Sequence, residues 1–201
     1  MGNRFAEIAF TRAVKQVQER LGSRERNARI ESQGTPQDQL GPHEAAFIAE
    51  RDSFFIATVS ETGWPYIQRR GGPKGFLRVL DAQTLGFADY RGNVQYVSVG
   101  NLAGNDRVAL ILMDYTNGQR LKLLGRARTV DTTEDAVLLE RLRDPSYRAR
   151  VERGVLIRVE AFDWNCPQHL TPPFTMEELE VAIERLRARI RQLEQQLAGR
   201  G

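Results

Sequence analysis

The sequence predicts a mainly β protein of the α+β class, in which six or seven antiparallel strands close into a barrel flanked by helices. Between residues 54 and 162, apolar side chains recur at every second position in short segments that polar turns separate. Near both ends of the chain, in contrast, apolar residues recur at helical spacing. Closure of the sheet would remove exposed strand edges, which invite aggregation.

Seven segments have the alternation expected of strands. They cover residues 54–59, 66–70, 76–80, 84–88, 108–113, 119–130 and 155–162. Gly- and Asn-containing turns at residues 61–63, 81–83 and 116–118 predict hairpins, so sequential strands should be neighbours. In the sixth segment Leu121, Leu123 and Ala127 share one face, which predicts a core face and a face that contacts water or a ligand.

The remaining segments predict helices and one long loop. Residues 4–21 form an amphipathic N-terminal helix that Gly22 ends, and residues 23–42 are polar and turn-rich, which is typical of a loop. Short helices are expected over residues 43–51 and 133–143. The predicted organisation is therefore an N-terminal helix and wrapping loop (1–42), a barrel domain (43–170) and a C-terminal helix (171–201).

The C-terminal helix has a narrow apolar seam with spacings of four and three residues. Thr175 and Glu178 form a capping box at its start. The seam is about three heptads long, and it can be buried either on the chain's own barrel or on a partner helix. Its members are Leu179, Ile183, Leu186, Ile190, Leu193 and Leu197.

Composition narrows the classes of function. The chain has 201 residues and a net charge of +3, which is too small to indicate nucleic-acid binding. Its one cysteine, Cys166, cannot form an intrachain disulfide, which favours a reducing cytoplasm. We find no signal peptide and no run of eighteen apolar residues, so we expect a cytoplasmic protein without a membrane partner.

Cationic and amide side chains concentrate in residues 65–93. The apolar strands of this stretch alternate with glycine-containing turns, a pattern that predicts an anion site suited to a phosphorylated cofactor. Strand alternation puts Gln68 and Arg70 on one face and Arg69 on the other, so only one of the two arginines should reach the anion. The candidate residues are Gln68, Arg69, Arg70, Lys74 and Arg91.

Three motifs in this order resemble the pyridoxamine 5'-phosphate oxidase-like family, a group of FMN-binding split barrels. They are the Arg-x-x-x-x-Lys-Gly-Phe run from Arg69 to Phe76, the Tyr-Arg-Gly-Asn turn at residues 90–93, and the passage that starts at Asn105. The likeness covers about residues 43–163. It implies a homodimer with flavin at the interface, a small-molecule substrate and a phosphate held by basic residues.

Carried over to this chain, the resemblance extends the list of cofactor-binding residues. Arg69 and Lys74 occupy the matching cationic positions. Residues 93–101 resemble the segment that presents hydroxyl and amide donors to the phosphate and then begins a helix, whose N-terminus favours anions. The added candidates are Asn93, Gln95, Ser98, Asn101, Arg120 and Lys122.

The chain departs from the oxidases themselves near its C-terminus. The Arg-x-His pair that binds the substrate phosphate in those enzymes is missing, and Cys166, Gln168 and His169 stand in this region instead. They are candidates for substrate or flavin contact, although a lone cysteine is usually inert packing. One cysteine and two histidines are too few for a zinc site, so no metal is expected.

Three functions stay open on the sequence alone. The first is an FMN-dependent oxidoreductase that transfers hydride or electrons through flavin N5 to a small molecule. The second is a non-catalytic module that binds flavin or heme, and the third is an interaction scaffold that assembles through its heptad helix.

Overall fold

The alternating apolar residues form the expected strands. The computed structural model describes residues 2–165 and 176–198, and within them the chain forms one antiparallel sheet surrounded by helices. The strands are β1 (Ser53–Val59), β2 (Pro65–Gly71), β3 (Arg78–Asp81), β4 (Thr84–Tyr90), β5 (Arg107–Asp114), β6 (Gln119–Asp131) and β7 (Val151–Asn165). The helices are α1 (Arg4–Ala9), α2 (Arg12–Arg20), α3 (Arg24–Gln33), α4 (Pro42–Ala49), α5 (Val97–Gly104), α6 (Ala136–Leu142) and α7 (Met176–Ala198).

The strand order is β2-β1-β5-β6-β7-β4-β3. The hairpins β1–β2, β3–β4 and β5–β6 confirm the three turns read from the sequence. The expectation that all sequential strands are neighbours is wrong at two places, because β1 pairs with β5 and β4 pairs with β7. These long-range pairings leave β2 at one end of the sheet order and the β3–β4 hairpin at the other.

The two longest strands, β6 and β7, pair irregularly near the middle, where a bulge lets a strand bend. Their register shifts between Leu124 and Gly125. A Cβ atom at residue 125 would lie 2.5 Å from the carbonyl oxygen of Arg158, so this close backbone approach requires glycine. Each strand therefore contributes to both halves of the split barrel.

An aromatic cluster fills the interior next to β2. The ring of Phe54 lies 5.5 Å from that of Phe76 and 5.3 Å from that of Phe87, and all three are buried. Leu121 and Leu123 are also buried, which confirms the core face expected for β6. This packing holds β1 and β4 at a fixed separation.

The N-terminal region differs from its predicted structure. The single helix expected over residues 4–21 is two helices, because the Thr11 side chain accepts the Val14 N–H (3.4 Å) and begins a new helix. The loop expected over residues 23–42 is wrong for the part that forms α3. Lys15 of α2 and Arg24 of α3 both pair with Glu31, and both pairs lower the pKa of the Glu31 carboxyl. The Lys15 pair, together with the hydrogen bond from Arg24 to Gln18 Oε1, holds α3 against α2. These contacts between helices are invisible to local turn composition.

Three further boundaries shift slightly. The helix expected from residue 133 begins only at Ala136, where Asp135 accepts the Leu138 N–H at 2.9 Å. The third strand starts at Arg78 instead of residue 76, and the seventh starts at Val151 instead of residue 155.

The C-terminal helix α7 confirms the heptad prediction as a helix, while Thr175 of the capping box lies outside the described residues. No helix in the described ranges is long and apolar enough to cross a bilayer. The seam residues with described side chains are 41 to 65 % exposed, so this part of the seam is not buried on the chain's own barrel. They are Leu179, Ile183, Leu186, Ile190 and Leu193.

Candidate functional site

A polar cleft, here called the arginine cleft, opens at the mouth of the barrel beside β2. Its walls are β2, the end of β4, the loop at residues 91–96, the first turn of α5 and the start of β7. Its volume is about 40 Å³, room for a small polar group but not for a three-ring flavin. The lining side chains used below are Gln68, Arg70, Asp89, Tyr96, Ser98, Glu152 and Arg153.

Strand register decides which β2 side chains reach the arginine cleft. Arg70 pairs with Phe54, and Gln68 pairs with Ile56. Phe54 and Ile56 are buried in the core, and directly opposed residues project to the same side of an antiparallel sheet. Gln68 and Arg70 therefore point to the barrel side of β2, whereas Arg69 points to the outer side.

Two arginines share one buried carboxylate. Asp89 Oδ1 accepts a hydrogen bond from Arg70 Nη1 at 2.7 Å, and Asp89 Oδ2 accepts one from Arg153 Nη1 at 3.2 Å. The Asp89 side chain is 6 % exposed, and burial raises its pKa although both guanidinium groups oppose that shift. The carboxylate fixes the two guanidinium groups relative to each other.

Arg153 is held at a second point. Its Nη2 lies 3.5 Å from Glu152 Oε2, and its guanidinium carbon lies 5.0 Å from the centre of the Tyr96 ring. The Tyr96 hydroxyl donates to Glu152 Oε1 at 3.2 Å, and Arg91 Nε lies 3.8 Å from the same oxygen. Three guanidinium groups thus face two carboxylates, which leaves the region with a net positive charge.

Arg70 has an unused donor. Its Nε is buried and has no hydrogen-bond partner among the residues that the structure describes. A buried N–H without a partner is costly, so this donor marks Arg70 as a candidate for ligand contact. The same side chain is anchored by Asp89, so this donor is presented in a fixed orientation.

The loop before α5 has a strained backbone. Val94 has a φ of 56° and Tyr96 a φ of 53°, values that a β-branched or aromatic residue rarely adopts. Tyr96 precedes the helix, and its side chain does not cap the first-turn N–H groups of α5. Such strain concentrates at ligand sites, and Val97 and Ser98 in the first turn of α5 line the arginine cleft.

A hydroxyl and an amide complete the polar wall. The buried Ser98 donates from Oγ to Gln68 Oε1 at 3.1 Å, which links α5 to β2. Asn93 and Gln95 bond to each other, with Asn93 Oδ1 accepting the Gln95 N–H at 3.2 Å. The wall therefore offers neutral donors beside the charged ones.

The structure brings about half of the predicted site residues together. Five of them line the arginine cleft, and Arg91 reaches its edge through Glu152. Their contact with a cofactor stays a prediction. The five are Gln68, Arg70, Asn93, Gln95 and Ser98.

The other predicted residues lie elsewhere. Lys74 pairs with Glu50 on the surface, and Lys122 Nζ lies 3.0 Å from Asp163 Oδ2. Asn101 Nδ2 donates to Thr58 Oγ1 at 2.9 Å and so ties α5 to β1. Arg69 and Arg120 are likewise not among the residues that line the arginine cleft.

The remaining three candidates, Cys166, Gln168 and His169, lie outside the described residues. Sequence reasoning also missed several residues of the site, among them Asp89, Tyr96, Glu152 and Arg153. Asp89 carried one signal, because it is a charged residue within the apolar strand β4. Its pairing with Arg153 across β4 and β7 joins residues far apart in the chain, which no local pattern encodes.

The sequence model of the pyridoxamine 5'-phosphate oxidase family matches residues 40–188, about three quarters of the chain. The chain therefore belongs to the pyridoxamine 5'-phosphate oxidase family, which confirms the resemblance. No curated protein matches it significantly.

Solved structures bear on the fold. HupZ of Group A Streptococcus is 18% identical, with a TM-score of 0.51, over 67% of this chain and 100% of that chain. A putative pyridoxamine 5'-phosphate oxidase from Lactobacillus delbrueckii is 17% identical, with a TM-score of 0.49, over 64% of this chain and 96% of that chain. An FMN-binding protein from Syntrophomonas wolfei is 14% identical, with a TM-score of 0.46, over 61% of this chain and 83% of that chain. The HupZ match agrees with the split-barrel fold of this chain.

Proposed function

We propose that this protein binds FMN by its 5'-phosphate in the arginine cleft and acts as an oxidoreductase on a small molecule. The observation that carries the proposal is the buried Nε of Arg70, which has no partner among the described residues and is held in place by Asp89. Membership of the pyridoxamine 5'-phosphate oxidase family supports a flavin as the anion.

The donor set fits a phosphate. Arg70 and Arg153 are mostly buried, with side chains 18 % and 16 % exposed, so water screens them less than surface charges. The α5 N-terminus adds backbone N–H groups and a favourable dipole. A volume of about 40 Å³ matches the phosphate end alone, so the ring system must lie over the open side of the arginine cleft.

Each residue has a separate task in this proposal. Asp89 orients both guanidinium groups, Arg70 and Arg153 neutralise the phosphate, and Glu152 with Tyr96 keeps Arg153 in place. The reaction chemistry, transfer of a hydride or of electrons at N5, is supplied by FMN when it is bound. The protein contributes affinity and orientation, which hold the ring in one position for a substrate.

We also propose that the ring lies at a homodimer interface. β2 is an edge strand, and Ile67 on its outer face is 68 % exposed, while Trp64 in the adjoining turn is 76 % exposed. Exposed apolar side chains beside a polar cleft favour a protein contact that would cover the flavin. We expect the protein to act in the cytoplasm, since its single cysteine has no need of an oxidising compartment.

A comparison of FMN with riboflavin tests the phosphate assignment. Protein stripped of any bound flavin is titrated with each compound, and fluorescence quenching reports binding. FMN should bind about 100-fold more tightly or better, because riboflavin lacks the group that the arginines contact. Equal affinities would show that the phosphate does not bind in the arginine cleft. If neither compound bound, the proposal that the protein is a flavoprotein would be refuted.

The absorbance spectrum of the purified protein separates the remaining alternatives. Released FMN identified by mass would support the proposal, whereas a heme spectrum would contradict it. Anaerobic addition of a reduced nicotinamide should bleach the flavin band if the protein is an oxidoreductase. A flavin that stays oxidised with every reductant tried would favour the non-catalytic module.

A further inference from the structure

The C-terminal helix α7 carries an apolar stripe that the barrel does not cover. Ile183, Leu186 and Ile190 are 45, 65 and 55 % exposed, although the stripe recurs with the regular spacing of a packed seam. Exposed apolar stripes of this length are typical of helices that pair with another helix. The residues of the stripe identify that partner.

The residue types along the seam indicate how many helices the coiled coil contains. In heptad positions abcdefg, the spacing places Ile183, Ile190 and Leu197 at a, and Leu179, Leu186 and Leu193 at d, so two of these three a positions are β-branched. A β-branched residue at a with leucine at d favours a two-stranded parallel coiled coil over trimers and tetramers. An identical helix fits such a seam, because each a or d residue then packs against the same residue of the partner helix.

The charges that flank the seam specify the orientation. In a parallel pair, a residue at g faces the e residue five positions later in the partner. Arg189 at g then faces Glu194 of the partner subunit, and the symmetric contact forms on the other side. Arg189 now donates to the neutral Gln192 side chain at 2.7 Å on the exposed surface, so it can exchange that contact for a carboxylate.

An antiparallel pair with the same overlap would bring like charges together. Arg187 would face Arg187 of the partner subunit, and Arg189 would face Arg189 of the partner subunit. Glu180 would face Glu194 of the partner subunit. Like charges in these positions destabilise a coiled coil, while opposite charges stabilise it. The flanking residues therefore favour the parallel orientation.

We propose that α7 forms a parallel, in-register, two-stranded coiled coil with α7 of a second copy of this chain. About three heptads provide a modest interface, so the coil adds to contacts between barrels by raising their effective concentration. This contact is separate from the arginine cleft, and its test does not depend on flavin.

Disulfide trapping in the full chain tests the pairing. In a Cys166→Ser background, Leu193→Cys places a thiol on the seam, and Ala188→Cys places one on the opposite face of the same helix as a matched control. In a redox buffer, Leu193→Cys should form a covalent dimer at least about tenfold faster than Ala188→Cys, because only seam positions approach within disulfide reach. Equal rates would overturn the proposal.

Mixed variants test the orientation. Ile183→Cys and Leu193→Cys chains mixed in equal amounts should each link to themselves, whereas linkage mainly between the two variants would establish antiparallel pairing and overturn the proposal. In the Leu193→Cys chain, Glu194→Arg should slow trapping about threefold, and adding Arg189→Glu should restore the rate. Faster trapping by Glu194→Arg alone would contradict the parallel coil, because that substitution relieves repulsion only in antiparallel pairs.

Discussion

Two cationic regions near β2 differ in what surrounds their charges. On the barrel side, Arg70 and Arg153 share the buried Asp89. On the surface, Lys74 pairs with Glu50, and both side chains are more than half exposed. An exposed pair satisfies its own charges with help from water, whereas two guanidinium groups that share one carboxylate retain donors for a ligand. Burial and unused donors therefore identify an anion site better than the density of basic residues.

The two regions should also differ in how much their ion pairs contribute to the free energy of unfolding. Exposed ion pairs typically contribute between 0 and about 1 kcal/mol, because water and salt screen them. Removing one partner from a buried pair costs about 3 kcal/mol or more, because the other charge is left uncompensated. The two regions should therefore respond differently to the same kind of substitution.

The largest expected effect is on folding. Asp89→Ala leaves two mostly buried guanidinium groups without their common acceptor, and the free energy of unfolding should fall by about 3 kcal/mol. Glu50→Ala is the matched control at the surface pair, and its effect should stay below about 0.5 kcal/mol. Urea unfolding followed by circular dichroism measures both. Similar losses in the two variants would show that the two regions do not differ as described.

The second effect is on ligand affinity. Arg153→Ala removes a guanidinium group that Glu152 and Tyr96 hold in the arginine cleft, and FMN affinity should fall about 10- to 30-fold. Arg158→Ala is the control, because Arg158 is an exposed residue of the same strand that does not line the arginine cleft. Fluorescence titration gives both dissociation constants. Unchanged FMN affinity in Arg153→Ala would show that β7 does not contribute to the binding site.

The smallest effect is expected at the uncharged side chains that line the arginine cleft. Ser98→Ala removes the hydroxyl that donates to Gln68, so Gln68 loses its fixed orientation and FMN affinity should fall about three- to fivefold. Ser32→Ala on the exposed surface of α3 is the control and should leave the affinity unchanged. A loss as large as that of Arg153→Ala would mean that the hydroxyl, not the charge, dominates binding.

The cleft-lining residues that the sequence analysis named lie on one continuous segment, residues 65–101. Alternation within β2 separated Arg69 from Arg70, but it could not say which of them faces the barrel. That answer needs the register with β1, where Arg70 pairs with the buried Phe54. The resemblance favoured Arg69 and Lys74 by position, and these two do not line the arginine cleft.

The rest of the site depends on contacts between distant parts of the chain. Asp89 and Arg153 meet because β4 pairs with β7, and the loop geometry at Val94 and Tyr96 has no local signature. The same limit explains why α3 was predicted as a loop, since Glu31 gains its partner Lys15 only when α2 folds back on it. Strands and hairpins were predictable because their periodicity and turn residues are local.

The most direct test of the account is a comparison of the two adjacent arginines. We expect Arg70→Ala to weaken FMN binding about 100-fold and Arg69→Ala to change it less than about twofold, because Arg70 lines the arginine cleft and Arg69 lies on the other face of β2. Arg70→Lys keeps the charge but loses the guanidinium Nε, and it should fall between the two. Loss of affinity in Arg69→Ala with normal binding in Arg70→Ala would contradict the account, as would equal affinities in both.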